Sequence, residues 1–350
     1  MKNRLYVCFI ALLFASSYFM IVPMRAQNDG PIERLDRALD AIVPPNAKVE
    51  KLADGFTWTE GPVWTHAGYL LFAEIPSNRI VKWSPQGGIS TFLQPSGYQG
   101  SEPYGGRESG SNGMTLDKQG RLTVAGHARR NVFRLESLAK GAKLTVLAER
   151  YQGKRLSSPN DLVYASDGSL YFTDPPYGMR TQRDTDPEKE IPFNGIYRIP
   201  NAASHPAGAP PDDAKLQLII KDVARPNGIA LSPDEKYLYI AVSDPQHMVW
   251  LRYDRKPDGS VTNRKVFFDA TGSKGVGGPD GIKVDRQGDL YGSGPGGIWI
   301  FSPDGRHLGT IRLPERAANC HWGDADGKAL YITASSSLYR IRLKIAGVRP

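Results

Sequence analysis

Six polar residues recur at equivalent points of the 350-residue chain: Glu60, Asn112, Asn160, Asn227, Asp280 and Asn319. Each stands directly ahead of an alternating apolar run, as in "EGPVWTHAGYLLFAEI", "NGMTLDKQGRLTVAGH" and "NDLVYASDGSLYFTDP". Taken singly, an Asn-Gly or Asp-Gly pair reads as a turn, because these residues tolerate unusual backbone angles. Turn chemistry does not explain recurrence ahead of the same kind of strand, and the glutamate of "TEGPVW" is a poor turn former. Carboxylate and amide oxygens, with no cysteine and no histidine pair among them, suit a hard cation rather than zinc. Ca2+ takes about 6–8 oxygens in flexible geometry, whereas Mg2+ demands a tighter octahedron. Glu60 and Asp280 would neutralise most of its charge, and asparagine carbonyls would complete the shell.

Such a set works only if the six positions converge. The runs "NGIALSPDEKYLYIAV", "DGIKVDRQGDLYGSGP" and "NCHWGDADGKALYITA" complete six similar units, most with a turn signal between two apolar stretches, the cue for a β-hairpin. Third strands follow in "RIVKWSP", "NVFRLES" and "GIWIFSPDG", and fourth strands in "KLTVLAE", "LQLIIKD" and "GTIRLP". Four antiparallel strands repeated radially describe a blade, so the expected fold is an all-β, six-bladed β-propeller over residues 47–350. The last unit lacks a fourth strand, and "AKVEKLADGF", residues 47–56, is placed to supply it and close the ring. Residues 27–46 form a lead segment in which "PIERLDRALDAIV" predicts a short amphipathic helix over 31–43. In a propeller the innermost strands begin near the axis, which brings the six polar side chains to one mouth of the channel.

These stretches, with "GSNGMTLDKQGRL", "GKRLSSPNDLVYASDGSLYFTDPPYG" and "RPNGIALSPDEKYLYIA", resemble the gluconolactonase family, the senescence-marker-protein, gluconolactonase and luciferin-regenerating group of propellers. The resemblance covers nearly the whole chain after residue 26. It implies one divalent cation, usually Ca2+ with Zn2+ or Mn2+ as alternatives, held by Glu60, Asn160, Asn227 and Asp280. It also implies hydrolysis of a sugar lactone such as gluconolactone, while sister groups hydrolyse phosphotriesters or aryl esters. Two positions depart from the family pattern, Ser157 and Ser158, both expected near the substrate.

Lactone opening needs a polarised carbonyl and an activated water. Asp280 is the expected general base, because a ligand carboxylate keeps a free oxygen beside that water. His127 and His321 are rival bases; His66 and His307 fall in hairpin turns and read as solvated. Substrate contacts are expected from Asn112, His127, Ser158, Tyr177 and His321. Two long loops, 96–110 and 173–195, read as a flexible lid and as a source of sugar platforms at Tyr177 and Phe193.

Residues 1–26 carry Lys2 and Arg4 ahead of "LYVCFIALLFASSYFMIV", with Ala26 after it, and read as a cleaved secretory signal. An uncleaved anchor is the alternative, and a periplasmic location is the expectation. Without that segment the formal charge of +8 loses Lys2, Arg4 and Arg25 and becomes +5. The remaining cations are scattered, which argues against nucleic acid as a partner. Only Cys320 remains beside the leader's Cys8, so no intramolecular disulfide is available. A small-molecule lactone is the expected partner, with no stable membrane association after cleavage and a monomer or weak homo-oligomer. The rival to a lactonase is a non-catalytic sugar- or protein-binding propeller plugged by a structural ion.

Overall fold

The computed structural model describes residues 30–349, so the leader expected over 1–26 lies outside the described residues. Six antiparallel sheets, five of four strands and one widened to five by an edge strand, follow one another around an axis. Blade 1 runs Thr59–Trp64, Leu70–Glu74, Arg79–Ser84 and Gly88–Leu93; blade 2 runs Met114–Leu116, Leu122–Gly126, Asn131–Leu135 and Leu144–Ala148. Blade 3 comprises Leu162–Tyr164, Leu170–Asp174, Gly195–Ile199 and Gln217–Ile220, and blade 4 Pro226–Leu231, Tyr237–Asp244, His247–Arg255 and Val261–Asp269. Blade 5 holds Ile282–Val284, Leu290–Gly294, Gly297–Phe301 and His307–Arg312. Blade 6 takes three strands from the end of the chain, Ala317–Gly323, Ala329–Ala334 and Ser337–Arg342, and its fourth, Val49–Ala53, from the beginning. Val49 pairs with Ile341 and Ala53 with Leu338, so the expected closing strand is in place.

The lead segment differs from the amphipathic helix read over 31–43. Ile32–Arg34 is a strand that pairs with Gly309–Ile311 at the outer edge of blade 5, and only Leu39–Ile42 is helical. Strand pairing satisfies the backbone of residues 32–34 at an otherwise open edge. One helical turn then suffices to insert Leu39, Ile42 and Val43 between blades 5 and 6. Among the described residues no helix is long and apolar enough to cross a membrane.

Apolar burial follows the repeat. Six clusters each bridge two neighbouring blades, as where Phe72 and Val81 of blade 1 meet Tyr331 and Leu338 of blade 6. The alternating strands therefore bury both faces between blades, which packs the sheets face to face. At the axis the inner strands crowd together. A Cβ on Gly113 would lie 2.6 Å from the Asn160 carbonyl oxygen, and one on Gly228 would collide with the Asp280 carbonyl. Gly113, Gly228 and Gly281 are not in the left-handed region, although Gly61 is, with φ +51°. For these three Asn-Gly and Asp-Gly pairs, glycine is required by close approach and not by a turn. Register shifts between Glu60 and Val63, Pro226 and Ile229, and Ala317 and Asn319 mark bulges at the same axial ends. Such bulges re-aim side chains.

Candidate active site

Glu60, Asn112, Asn160, Asn227 and Asp280 all line one cavity of about 1020 Å3 at one end of the channel. All five are buried. Their polar atoms divide into two kinds. Glu60 Oε2 accepts the Gly61 N–H at 2.6 Å and the Asn319 amide at 3.1 Å, and Oε1 takes no protein hydrogen bond. Asp280 Oδ2 accepts from Arg316 Nη2 at 3.3 Å, leaving Oδ1. Asn227 turns its Nδ2 toward Ser243 Oγ at 3.5 Å. The Asn112 Oδ1 is buried with no partner at all. Asn319, the sixth repeat position, does not reach the cavity: besides bracing Glu60 it accepts the Cys320 N–H at 2.9 Å.

Crowded acids in a dry site repel. Burial first, and then the Asp280 charge, push the Glu60 carboxyl well above its ordinary range, against the Gly61 N–H. Asp280 is raised to about 7 by burial; Arg316 opposes this, while Glu108 and Asp161 add to it. A positive charge between the two would relieve both. Among the described residues no three His, Cys, Asp or Glu side chains gather as a metal cluster. The donors are therefore two carboxylates and amide oxygens, one of them orphaned, and that set fits a hard divalent cation.

The wall above this ring comes from irregular segments. Arg316 lies 5.0 Å over the Trp58 ring, and Arg225 lies 5.2 Å over Tyr177. The Tyr177 hydroxyl is tied to Ser243 Oγ at 2.6 Å, so this expected platform does face the cavity. Trp58, Glu108, Arg225 and Arg316 are absent from the sequence-based set, and all four line the cavity.

The other expected contacts lie elsewhere. His127 is fully buried behind the wall, with Nε2 2.7 Å from Glu108 Oε2 and Nδ1 3.1 Å from the Pro159 carbonyl. Ser158 is also buried: its N–H donates to Asp174 at 2.7 Å, its hydroxyl to the Pro175 carbonyl, and it accepts the Gly178 N–H at 2.9 Å. It thereby shapes the turn that carries Tyr177 without reaching the cavity itself. Ser157 likewise donates its N–H to Asp174 at 2.8 Å. His321 lines a second cavity of about 370 Å3, with Thr115, Val163, Lys283 and Val348. Phe193 packs into the core between blades 2 and 3, away from any sugar. His307 is not solvated: it stacks on Trp299 at 4.1 Å, and burial pushes its pKa down to about 4. The loop read as a flexible lid is laced to blade 3 by Tyr104 donating to the Gly178 carbonyl and by Gln182 donating to Glu108 at 2.8 Å.

Comparison with known proteins agrees with this architecture. A family model described as the SMP-30/Gluconolactonase/LRE-like region matches residues 58–336. A gluconolactonase of Zymomonas mobilis is 39% identical over 336 residues, covering 93% of this chain and 89% of that protein. The solved structure of a gluconolactonase from Xanthomonas campestris superposes with a TM-score of 0.74 at 32% identity, covering 91% of this chain and 96% of that one.

Proposed function

The chain belongs to the SMP-30/gluconolactonase/LRE-like family, and from that membership we propose that it hydrolyses a sugar lactone to the hydroxy acid at the wide cavity. It is a hydrolase of carboxylic ester bonds. The observation that carries the reading is the division of the ring atoms. Glu60 and Asp280 each tie one oxygen to the protein and leave the other uncommitted beside an open cavity. A purely structural plug would be enclosed by protein oxygens.

Glu60, Asn160, Asn227 and Asp280 would hold a divalent cation, with Ca2+ the best fit to oxygen donors, and the orphaned Asn112 Oδ1 stands beside them. When bound, such an ion polarises the lactone carbonyl and acidifies water. Asp280 takes the proton from water as its oxygen adds to the acyl carbon. The acyl–oxygen bond of the ring then breaks, and the proton passes to the ring oxygen, which becomes a hydroxyl. Arg316, fixed between Trp58 and Asp280 Oδ2, keeps Oδ1 turned to the reacting water. Tyr177 supplies a face for the sugar, and its hydroxyl bond to Ser243 fixes that face.

Export through the leader, with action in the periplasm, completes the proposal. The test is acid release in a pH-stat from gluconolactone, using metal-stripped protein and then each cation restored. Cation-dependent release above the spontaneous rate supports the reading; none with any cation, from gluconolactone or from any other sugar lactone, overturns it. N-terminal sequencing of the secreted protein checks cleavage after Ala26.

A further inference from the structure

Three guanidinium groups line the wide cavity, and only one is ion-paired with an acid. Arg316 meets Asp280 at 3.3 Å, whereas Arg107 and Arg225 form no ion pair among the described residues. Arg107 is exposed, on the loop. Arg225 is partly buried, two residues ahead of Asn227, and its guanidinium reaches only the Gln182 carbonyl, at a long 3.5 Å, and the Tyr177 side chain. Of the acids on the same wall, Glu108 is taken by His127 and Gln182 and Asp244 Oδ1 by the Gln246 N–H at 3.0 Å, while the Asp184 and Asp244 charges act on Arg225 without forming an ion pair.

Arg225 is one of ten non-glycine residues with positive φ among the described residues. Its φ of +46° lies in the left-handed region, which costs a non-glycine residue about 1–2 kcal/mol. The conformation is held because the Arg225 carbonyl accepts the Ser243 N–H at 3.2 Å and Ser243 Oγ at 3.3 Å. Ser243 also bonds the Tyr177 hydroxyl at 2.6 Å, so one serine fixes both the arginine and the ring beneath it.

Resting on the lactonase reading, we propose that the lactone opened here carries an anionic group, a phosphate, carboxylate or sulfonate remote from the scissile carbonyl, and that Arg225 receives it. Neutral sugar hydroxyls are served by the amides and hydroxyls already on the wall. A guanidinium with no ion-pair partner over an aromatic face is matched by an anion, with which it forms forked, charge-assisted hydrogen bonds. The cavity of about 1020 Å3 leaves room for such a substituent beyond the ring of oxygens. Arg107, at the exposed rim, would draw the same anion inward.

Matched substrates test this: 6-phosphogluconolactone and glucarolactone against gluconolactone, which shares the carbon skeleton but is neutral. The expected result is a kcat/KM at least about tenfold higher for an anionic lactone, declining with added salt while the neutral lactone is little affected. Arg225→Met should bring the ratio of anionic to neutral kcat/KM close to one, chiefly through KM, and Arg225→Lys should restore part of it. Equal or better use of gluconolactone by the wild-type protein overturns the proposal, whatever the variants do. A preference that survives Arg225→Met in folded protein, judged by circular dichroism, also overturns the role of Arg225. Turnover of gluconolactone without a preference sinks only this inference, while failure on all three lactones sinks the lactonase reading with it.

Discussion

The two ends of the central channel are built from the same inner strands and treat their polar atoms in opposite ways. At the wide end, oxygens of Glu60, Asp280 and Asn112 are left uncommitted beside a cavity of about 1020 Å3. At the narrow end, the Lys283 ammonium is consumed by the protein itself: it donates to the Ile282 carbonyl at 2.9 Å and to Asn319 Oδ1 at 3.4 Å, and lies 3.5 Å from Asp161 Oδ2. Asp161 occupies the place that four other units give to glycine, so the third unit lends the axis a buried counter-charge. His321, facing the same small cavity, bonds through Nδ1 to the Trp322 carbonyl at 2.8 Å. Repetition brings polar residues to both ends, but carboxylate oxygens without a protein partner face only the wide cavity among the described residues.

The largest effect should come from the wide end. Asp280→Asn removes a charge and the base together, and kcat on the lactone should fall by about 10^3-fold or more, with circular dichroism unchanged. Retained turnover with normal metal content would move the base to another residue. Chelation is next: activity should vanish, and returning the cation at a hundred times its Kd should stabilise the fold by about 2.7 kcal/mol, read as a rise in Tm. A cation that restores activity without raising Tm would mean that it does not bind the folded ring as described.

Why the ring is legible in the sequence and its wall is not follows from where each residue lives. Glu60 or Asn160 alone is a turn residue, but the repeat presents the position six times, and only axial convergence accounts for all six. Glu108, Arg225 and Arg316 come from connections that each occur once, so no periodicity aligns them. Arg225 had one available signal, its place two residues ahead of an axial asparagine in "RPNGIA". His127 and Ser158 lie away from the cavity for the complementary reason: nearness in sequence to the ring does not say which side of the wall a side chain takes. His127 lies behind Glu108, and Ser158 beneath the turn of Tyr177.

Smaller effects should sharpen the contrast from the narrow end. His321→Gln should leave kcat within about threefold, because it is remote from the wide cavity, while lowering stability by about 1–3 kcal/mol through a lost buried partner. A loss of turnover comparable to that of Asp280→Asn would erase the distinction between the two ends. The same histidine sets a pH dependence. Burial first, and the Lys283 charge second, hold its folded pKa down to about 3, below its ordinary value. Between about 6.5 and 3 the unfolded chain therefore binds a proton that the folded one refuses. Its contribution to stability is complete above that window and declines as the pH drops through it. Tm followed from pH 7 to 4 should decline less in His321→Gln than in the wild type, and parallel curves would refute the assignment.

The strand that closes the ring has a consequence in time. Val49–Ala53 is synthesised among the first residues of the propeller, and its partner Ser337–Arg342 among the last. A ribosome makes the chain from one end only, so blade 6 stays open until Ser337–Arg342 has emerged. Until then the two terminal blades offer bare edges to any neighbouring chain. The propeller can be assembled blade by blade, but it can be locked only once Ser337–Arg342 has been made.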